Sequence, residues 1–363
     1  MQHNRSIRPS PTVPLSVLDF GQLSVGQTSA GALADTTRLA RGADELGYSR
    51  FWVSEHHATP WLASTSPAVL LAHLAAQTER IRVGSGGVML SNHSPLVVAE
   101  QFALLEALHP GRIDLGLGRA PGADPATAAA LRRTSDGLGG EDFGRQVDEV
   151  LSILGRPGMS GSTQRAISAT PVAEGTPVPW LLGSSAFSAQ LAGALRLPYC
   201  FAAHNGAPLG VVAAALDLYR RTFSAASVTD ASAEARPTTM ISVSVLAAET
   251  DREVERLARP GRLQRYAERT GRRVTPLISP ENAAGTVLAP AEERALAAMP
   301  DGGVAGTPDR VVAVLDDLTA ATGADELLVC SFVHGADTRM QTLELLAEAW
   351  GLTAATCPRP IAG

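Results

Sequence analysis

The chain has 363 residues, 45% of them hydrophobic, which suffices for one large α/β barrel or two smaller domains. Its formal net charge of -6 offers no basic field to nucleic acid or an anionic membrane. All 30 basic residues are arginine, which excludes a lysine Schiff base and a lysine-bearing phosphate loop.

The opening stretch MQHNRSIRPSPTVP lacks the apolar centre of a signal peptide, and residues 1–12 read as a disordered tail. No apolar run reaches the length of a membrane span. The three cysteines have no metal-ligand spacing, and Cys200 and Cys330 sit in apolar runs. Free, buried thiols of this kind fit a reducing cytoplasm.

Strand-like and helix-like segments then alternate to the end of the chain. The strand-like runs are Leu15–Phe20, Phe51–Ser54, Ile81–Leu90, Ile113–Leu117, Val178–Leu182, Pro198–Ala202, Thr239–Ala247 and Glu326–Phe332. They are short and nearly all apolar, as parallel strands covered on both faces are. Helix-like segments follow at 32–47, 67–79, 95–108, 141–154, 186–195, 208–224, 251–258 with 307–321, and 338–350. Asp124-Pro125 and Thr307-Pro308 each pair a cap with proline at the first helical position, and Gly47 suits a left-handed helix stop. Eight such units predict a single-domain α/β fold, a (β/α)8 TIM barrel over residues 1–363, with a doubly wound open sheet as the alternative. Two connections are long: residues 119–140 after the fourth strand, and 259–305 after the seventh, read as an insertion or lid. Residues 225–236 read as a surface loop.

The second strand ends in RFWVSEHHATPW, Arg50 to Trp61. Phe51, Trp52 and Val53 belong inside a fold, whereas Glu55, His56 and His57 cost free energy when buried without partners. Five histidines (His56, His57, His93, His204 and His334) fall at or just after strand C-termini, the end of a barrel that carries active sites. Adjacent His56 and His57 on extended backbone point to opposite faces, so they do not share one ion, and no metal site is expected. In VGSGGVMLSNHSP, the interior Ser85, Gly86 and Gly87 mark a bulge or a flat partner lying close. GRIDLGLGRAPG carries Gly116, Gly118 and Gly122 one residue off the dinucleotide fingerprint, with no acidic ribose contact in place. Arg119 reads better as a guanidinium aimed at an anion. In PWLLGSSAFSAQLA, Gly183, Ser184 and Ser185 lead straight into a helix, as in an anion cradle.

These stretches, with STSPAVLLAHLAAQTERIRVGSGGVMLSNHSPLVVAEQ, GTPDRVVAVLDDL and GADELLVCS, span nearly the whole chain. In order and content they resemble the bacterial luciferase-like flavin-dependent monooxygenases. The resemblance implies a (β/α)8 barrel, reduced FMN as cosubstrate, dioxygen as oxidant, a separate flavin reductase, a small organic substrate and a homodimer. By position it makes His56 the active-site histidine, flanked by Glu55 and His57. It places Gly86-Gly87 at a non-proline cis peptide under the flavin ring, and Arg119 at a phosphate contact. Ser184, Ser185 and Ser188 overlap the family's phosphate loop. Gly118 stands where true luciferase has a reactive cysteine, so the resemblance does not by itself imply long-chain aldehyde chemistry or light emission. A deazaflavin-dependent oxidoreductase on the same barrel is the alternative.

Overall fold

The computed structural model describes residues 13–120, 122–131, 142–156, 167–226, 236–272, 274–299 and 302–353. The expected N-terminal tail and residues 227–235 of the expected surface loop lie outside these. The described residues form ten strands: β1 (Leu15–Asp19), β2 (Arg50–Val53), β3 (Arg82–Ser85), β4 (Val88–Met89), β5 (Ile113–Gly118), β6 (Val178–Gly183), β7 (Tyr199–Ala202), β8 (Thr239–Ala247), β9 (Val304–Gly306) and β10 (Glu326–Cys330). The helices are α1 (Ser29–Leu46), α2 (Pro67–Ala75), α3 (Pro95–Leu108), α4 (Pro125–Leu131), α5 (Phe143–Ile153), α6 (Ala186–Ala194), α7 (Leu209–Ala225), α8 (Asp251–Arg269), α9 (Pro280–Ala284), α10 (Pro290–Ala297), α11 (Pro308–Thr322) and α12 (Ala336–Trp350).

Eight parallel strands run β10-β1-β2-β3-β5-β6-β7-β8, and pairing of β8 with β10 closes the ring. The expected barrel is therefore present. Alternation along each strand separates two apolar layers. Phe51 and Val53 join helix residues such as Leu39, Leu71 and Phe102 in the outer core. Trp52, Leu18, Trp180, Met240 and Leu328 fill the barrel interior. A polar plug lies at the strand starts. Arg50 bridges Asp114 (2.8 Å) and Glu326 (2.9 Å), and Arg82 binds the other oxygen of Asp114 at 2.6 Å. Charges buried this deeply are tolerable only when so paired. No helix of the described residues is long and apolar enough to cross a membrane.

Local signals place several boundaries. Asp124 accepts from the N–H groups of Ala126 and Thr127 (2.9 and 3.1 Å) at the start of α4. Gly47 ends α1 at φ 87°, and α11 begins at Pro308 after Thr307. Two expectations are corrected. The third strand is not continuous from Ile81 to Leu90: it breaks at Gly86-Gly87, a cis peptide, into β3 and β4, and a short 3-10 turn follows. The helix expected to stop at residue 258 runs on to Arg269 through Pro260, because Val254, Leu257, Pro260 and Gly261 form one buried stripe. Packing of that face outweighs the hydrogen bond the proline forfeits. The described residues of the 259–305 segment are thus largely helical, and the segment's last residues enter β9, which pairs in parallel with the end of β8.

Candidate active site

Past β2 the backbone stays extended, held by His56 N–H to Ser64 O and His57 N–H to Gly122 O, both 3.0 Å. Alternation then sorts the polar run. Ser54 and His56 fall on one side, with Ser54 Oγ 3.1 Å from His56 Nδ1. Glu55 and His57 fall on the other. Glu55 is fully buried. Its Oε1 lies 2.8 Å from both His57 Nε2 and His93 Nε2, and its Oε2 accepts Met89 N–H at 3.0 Å. Burial alone would raise the Glu55 carboxyl pKa. The donors from His93, His57 and Met89 outweigh it and hold the group below its ordinary range.

His56 and His57 point to opposite sides, and His93 joins His57 at the Glu55 carboxylate. Glu55, His57 and His93 bring their ligand atoms within 4.8 Å of one another. A carboxylate can only accept, so both Nε2 atoms carry hydrogen in this arrangement, and a metal would have to displace both. The trio expected to act together is therefore divided. His56 faces one way, and Glu55 with His57 forms a clamp between β2 and the segment after β4.

Gly116 and Gly122 of GRIDLGLGRAPG prove to be packing glycines. A Cβ on Gly116 would run into the Ser85 carbonyl, and one on Gly122 (φ 59°) would lie 2.6 Å from Glu55 O. Gly86 and Gly87 likewise have close neighbours beneath them, Leu18 Cδ1 at 2.6 Å and Gly116 O at 2.9 Å from a built Cβ. Ser85 was expected to touch a cofactor. Its buried hydroxyl instead donates to Gly116 O at 2.9 Å and accepts Gly116 N–H at 3.0 Å, bonding β3 to β5.

Arg119 leaves β5 exposed, with its guanidinium 4.8 Å from the centre of the Phe187 ring in the first turn of α6. It makes no ion pair with any described residue. Ser184 is exposed beside it, after Gly183, and Ser185 caps α6. The structure thus joins Arg119 to the α6 N-terminus, where free N–H groups favour an anion. Ser188 departs from expectation: it is buried, donates to Ser185 O at 2.8 Å and lies 3.1 Å from Tyr199 Oη. Its hydroxyl serves the helix rather than a ligand.

Across the barrel mouth a cavity of about 430 Å³ opens between Phe20, His56, Trp61, His204 and Phe332 and the side of α8. Phe20 stands between the two imidazoles, 5.7 Å from each ring. His204 Nδ1 lies 2.6 Å from Ser242 Oγ. Burial, with His56 adding like charge, pushes the His204 pKa down to about 4. Burial also lowers that of His56, though Glu55 opposes the shift. Both rings are thus neutral at neutral pH. His334 stands apart, near Glu281.

The profile of the family described as luciferase-like monooxygenase matches residues 13–326. The chain belongs to the luciferase-like monooxygenase family. It is 42% identical to the uncharacterised protein YvbT of Bacillus subtilis over 93% of this chain and 96% of that one. It is 35% identical to a luciferase-like monooxygenase of Escherichia coli K12, over 92% and 96%. The solved structure of apo-MsnO8 is 38% identical, covering 96% of this chain and 99% of its own, with a TM-score of 0.82. Two distant structures share the fold alone, each at a TM-score of 0.66. One is the oxygenating component of 3,6-diketocamphane monooxygenase in complex with FMN, 20% identical over 96% and 100% of the two chains. The other is an F420-dependent secondary alcohol dehydrogenase, 10% identical over 93% and 99%.

In this luciferase-like chain all eight barrel strands bring residues to the same rim: Phe20, His56, Gly86-Gly87, Arg119, Ser184, His204, Ser244 and Phe332 follow in order around it. His93 and His204 were visible as strand-end histidines, but nothing local marked the partners that give them roles. The wall formed by α8 was hidden by the expected stop before Pro260.

Proposed function

We propose that the protein is a monooxygenase that uses reduced FMN and dioxygen to oxygenate a small organic substrate, with a separate flavin reductase supplying the reduced cofactor. The carrying observation is the division of the barrel rim. An exposed guanidinium and a helix N-terminus gather at β5 and β6, while a cavity with two neutral histidines opens at β1, β2 and β7. The residues present fit FMN. Arg119, Ser184, Ser185 and the first N–H groups of α6 would hold its phosphate, and the side-chain-free Gly86-Gly87 segment would lie against the ring. When bound, reduced FMN supplies the two electrons by which dioxygen delivers one atom to substrate and the other to water.

The chain's own work is positional. Ser54 fixes the His56 imidazole through Nδ1 and leaves Nε2 to hold or pass a proton in the cavity. Glu55, His57 and His93 tie the β2 end to the segment after β4 and so set where His56 stands. Phe20, Trp61 and Phe332 keep water from the reacting groups. The 259–305 segment acts as a lid through α8, and protection of this segment from proteolysis by bound flavin and substrate tests that role. Exposed Val97, Leu104 and Leu108 on one face of α3, with Val69 on α2, support a homodimer. Sedimentation of wild type and Leu104→Glu tests it.

An anaerobic titration with reduced FMN, and separately with the reduced deazaflavin coenzyme, tests the cofactor, followed by mixing with dioxygen. Saturable binding of reduced FMN, with reoxidation kinetics unlike those of free FMN, is the expected result. Tight binding of the deazaflavin alone would move the protein to the dehydrogenase reading.

A further inference from the structure

We propose that Glu55, His57 and His93 form a site for one divalent transition-metal ion of the zinc class, set beside the barrel-mouth cavity and acting as a structural bolt. Such a site binds its ion whether or not the protein is a monooxygenase.

Three ligand atoms converge. Glu55 Oε1 lies 2.8 Å from His57 Nε2 and 2.8 Å from His93 Nε2, and the three atoms lie within 4.8 Å of one another. His56 is no part of the group, because alternation turns it the other way; His93 supplies the second imidazole. Two imidazoles and a carboxylate suit zinc, cobalt or ferrous iron, whereas magnesium and calcium take oxygen ligands. Bonds of about 2.0–2.1 Å set the ligand atoms of a tetrahedral ion about 3.4 Å apart. Sub-ångström movements of each side chain convert the hydrogen-bonded arrangement into that one. Each neutral imidazole shifts its hydrogen from Nε2 to Nδ1 and offers Nε2 to the ion, so no proton has to leave the site.

The ligands are held from behind. Met89 N–H donates to Glu55 Oε2 at 3.0 Å and leaves Oε1 to the imidazoles, as outer partners of a metal carboxylate do. Main-chain bonds from His57 N–H to Gly122 O and from His93 N–H to Leu90 O, both 3.0 Å, fix the two histidine backbones. Glu55 is fully buried, but the His57 and His93 side chains are partly exposed. An ion therefore has a way in, and water can fill its remaining position. None of the three residues lines the cavity, so the ion meets no substrate there. It ties the end of β2 to the segment after β4, and the Gly86-Gly87 pair lies between β3 and β4. The bolt thus holds the backbone that carries His56 against the backbone that carries the glycine pair.

The test is titration of the chelator-stripped full chain with Co2+, followed by its visible absorption, with Zn2+ as competitor. The expected result is saturation at one Co2+ per chain, with the intense bands of a low-coordinate ion, and displacement by Zn2+. Zn2+ should also raise the thermal midpoint, and Mg2+ should not. His93→Gln keeps an N–H donor for Glu55, and so keeps the hydrogen-bonded clamp, but removes an imidazole ligand. It should melt near wild type without metal, bind Co2+ about a hundredfold more weakly, and lose the rise with Zn2+. His57→Gln and Glu55→Gln should lose Co2+ affinity to a similar extent, and they decide the matter if His93→Gln does not fold. His334→Ala and His204→Ala should bind as wild type does. The absence of saturable one-to-one binding, the pale spectrum of an octahedral ion, equal stabilisation by Mg2+, or affinity that survives the loss of a ligand overturns the proposal. Binding that depends on His204 or His334 instead would move the ion elsewhere and also overturn it.

Discussion

Glu55→Gln removes the charge from a buried acceptor shared by three donors: His57 Nε2, His93 Nε2 and Met89 N–H. The amide offers one oxygen and one NH2. With the oxygen toward the imidazoles, the NH2 meets Met89 N–H donor to donor; flipped, it meets both imidazoles. At least one charge-assisted bond is lost, worth about 1.5–3 kcal/mol. His93 and His57 side chains are 32% and 17% exposed, so water recovers part of their loss and the lower half of that range applies. For 363 residues, at about 2.1 cal/mol/K each, the unfolding entropy is about 0.8 kcal/mol/K, and the midpoint should fall by about 2–3 °C. The pH dependence adds a signature. The folded pKa of Glu55 lies below its ordinary 4.5. Its stabilisation is therefore complete above about 4.5 and is lost as pH falls through the folded value. Wild type and variant should differ most at neutral pH and converge in acid. Scanning calorimetry across that range is the assay. A variant within about 0.5 kcal/mol of wild type at neutral pH, or a gap that persists in acid, would refute the clamp.

His56→Ala should abolish oxygen transfer with little loss of stability, and near-normal turnover would remove it from the proposed chemistry. Arg119→Ala should weaken binding of reduced FMN by about 1.5–3 kcal/mol, read as the dissociation constant in an anaerobic titration; an unchanged constant counts against the phosphate contact. Gly116→Ala forces a methyl group against the Ser85 carbonyl and to 2.7 Å from Leu182 Cδ1, so it should fail to accumulate as folded protein, and normal expression and midpoint would contradict the packing. His204 has its pKa depressed from 6.5 to about 4, so the unfolded chain takes up its proton first. Wild-type stability should therefore drop as pH falls from 6.5 toward 4, and His204→Asn should flatten that slope in denaturant titrations.

The barrel was legible because short apolar strands alternated with capped helices, and periodicity and caps are local properties. Gly47, Asp124 and Thr307 act as their chemistry dictates. What failed was local reasoning about tertiary contacts. Within Ile81–Leu90 the interior Ser85, Gly86 and Gly87 signal a bulge or a close partner, but that the strand breaks in two there depends on the fit of the Gly86-Gly87 backbone over Leu18 and beside Gly116. Pro260 is a strong local stop signal that a buried stripe overrode. Ser85 and Ser188 have the right chemistry for cofactor ligands, but Gly116 and Tyr199 claim their hydroxyls. His93 lies far from His57 in sequence, and only the closed barrel brings both to one carboxylate oxygen.

The adjacent histidines of SEHH are explained by the two-residue period of extended chain. The period sends Ser54 with His56 to the cavity and Glu55 with His57 to the clamp, so one motif carries two separate jobs. Neither job is possible at the other's position. At residue 57 an imidazole meets Glu55, whose carboxylate occupies its Nε2. At residue 56 an imidazole meets Phe20 and has Ser54 on Nδ1, which leaves Nε2 open to the cavity. The buried carboxylate that first looked like a cost is what makes the arrangement stable. It is satisfied by three donors from two segments, and by fixing the β2 end it holds the neighbouring His56 at the cavity. Alternation together with the location of Glu55 therefore sends His56, and not His57, to the cavity.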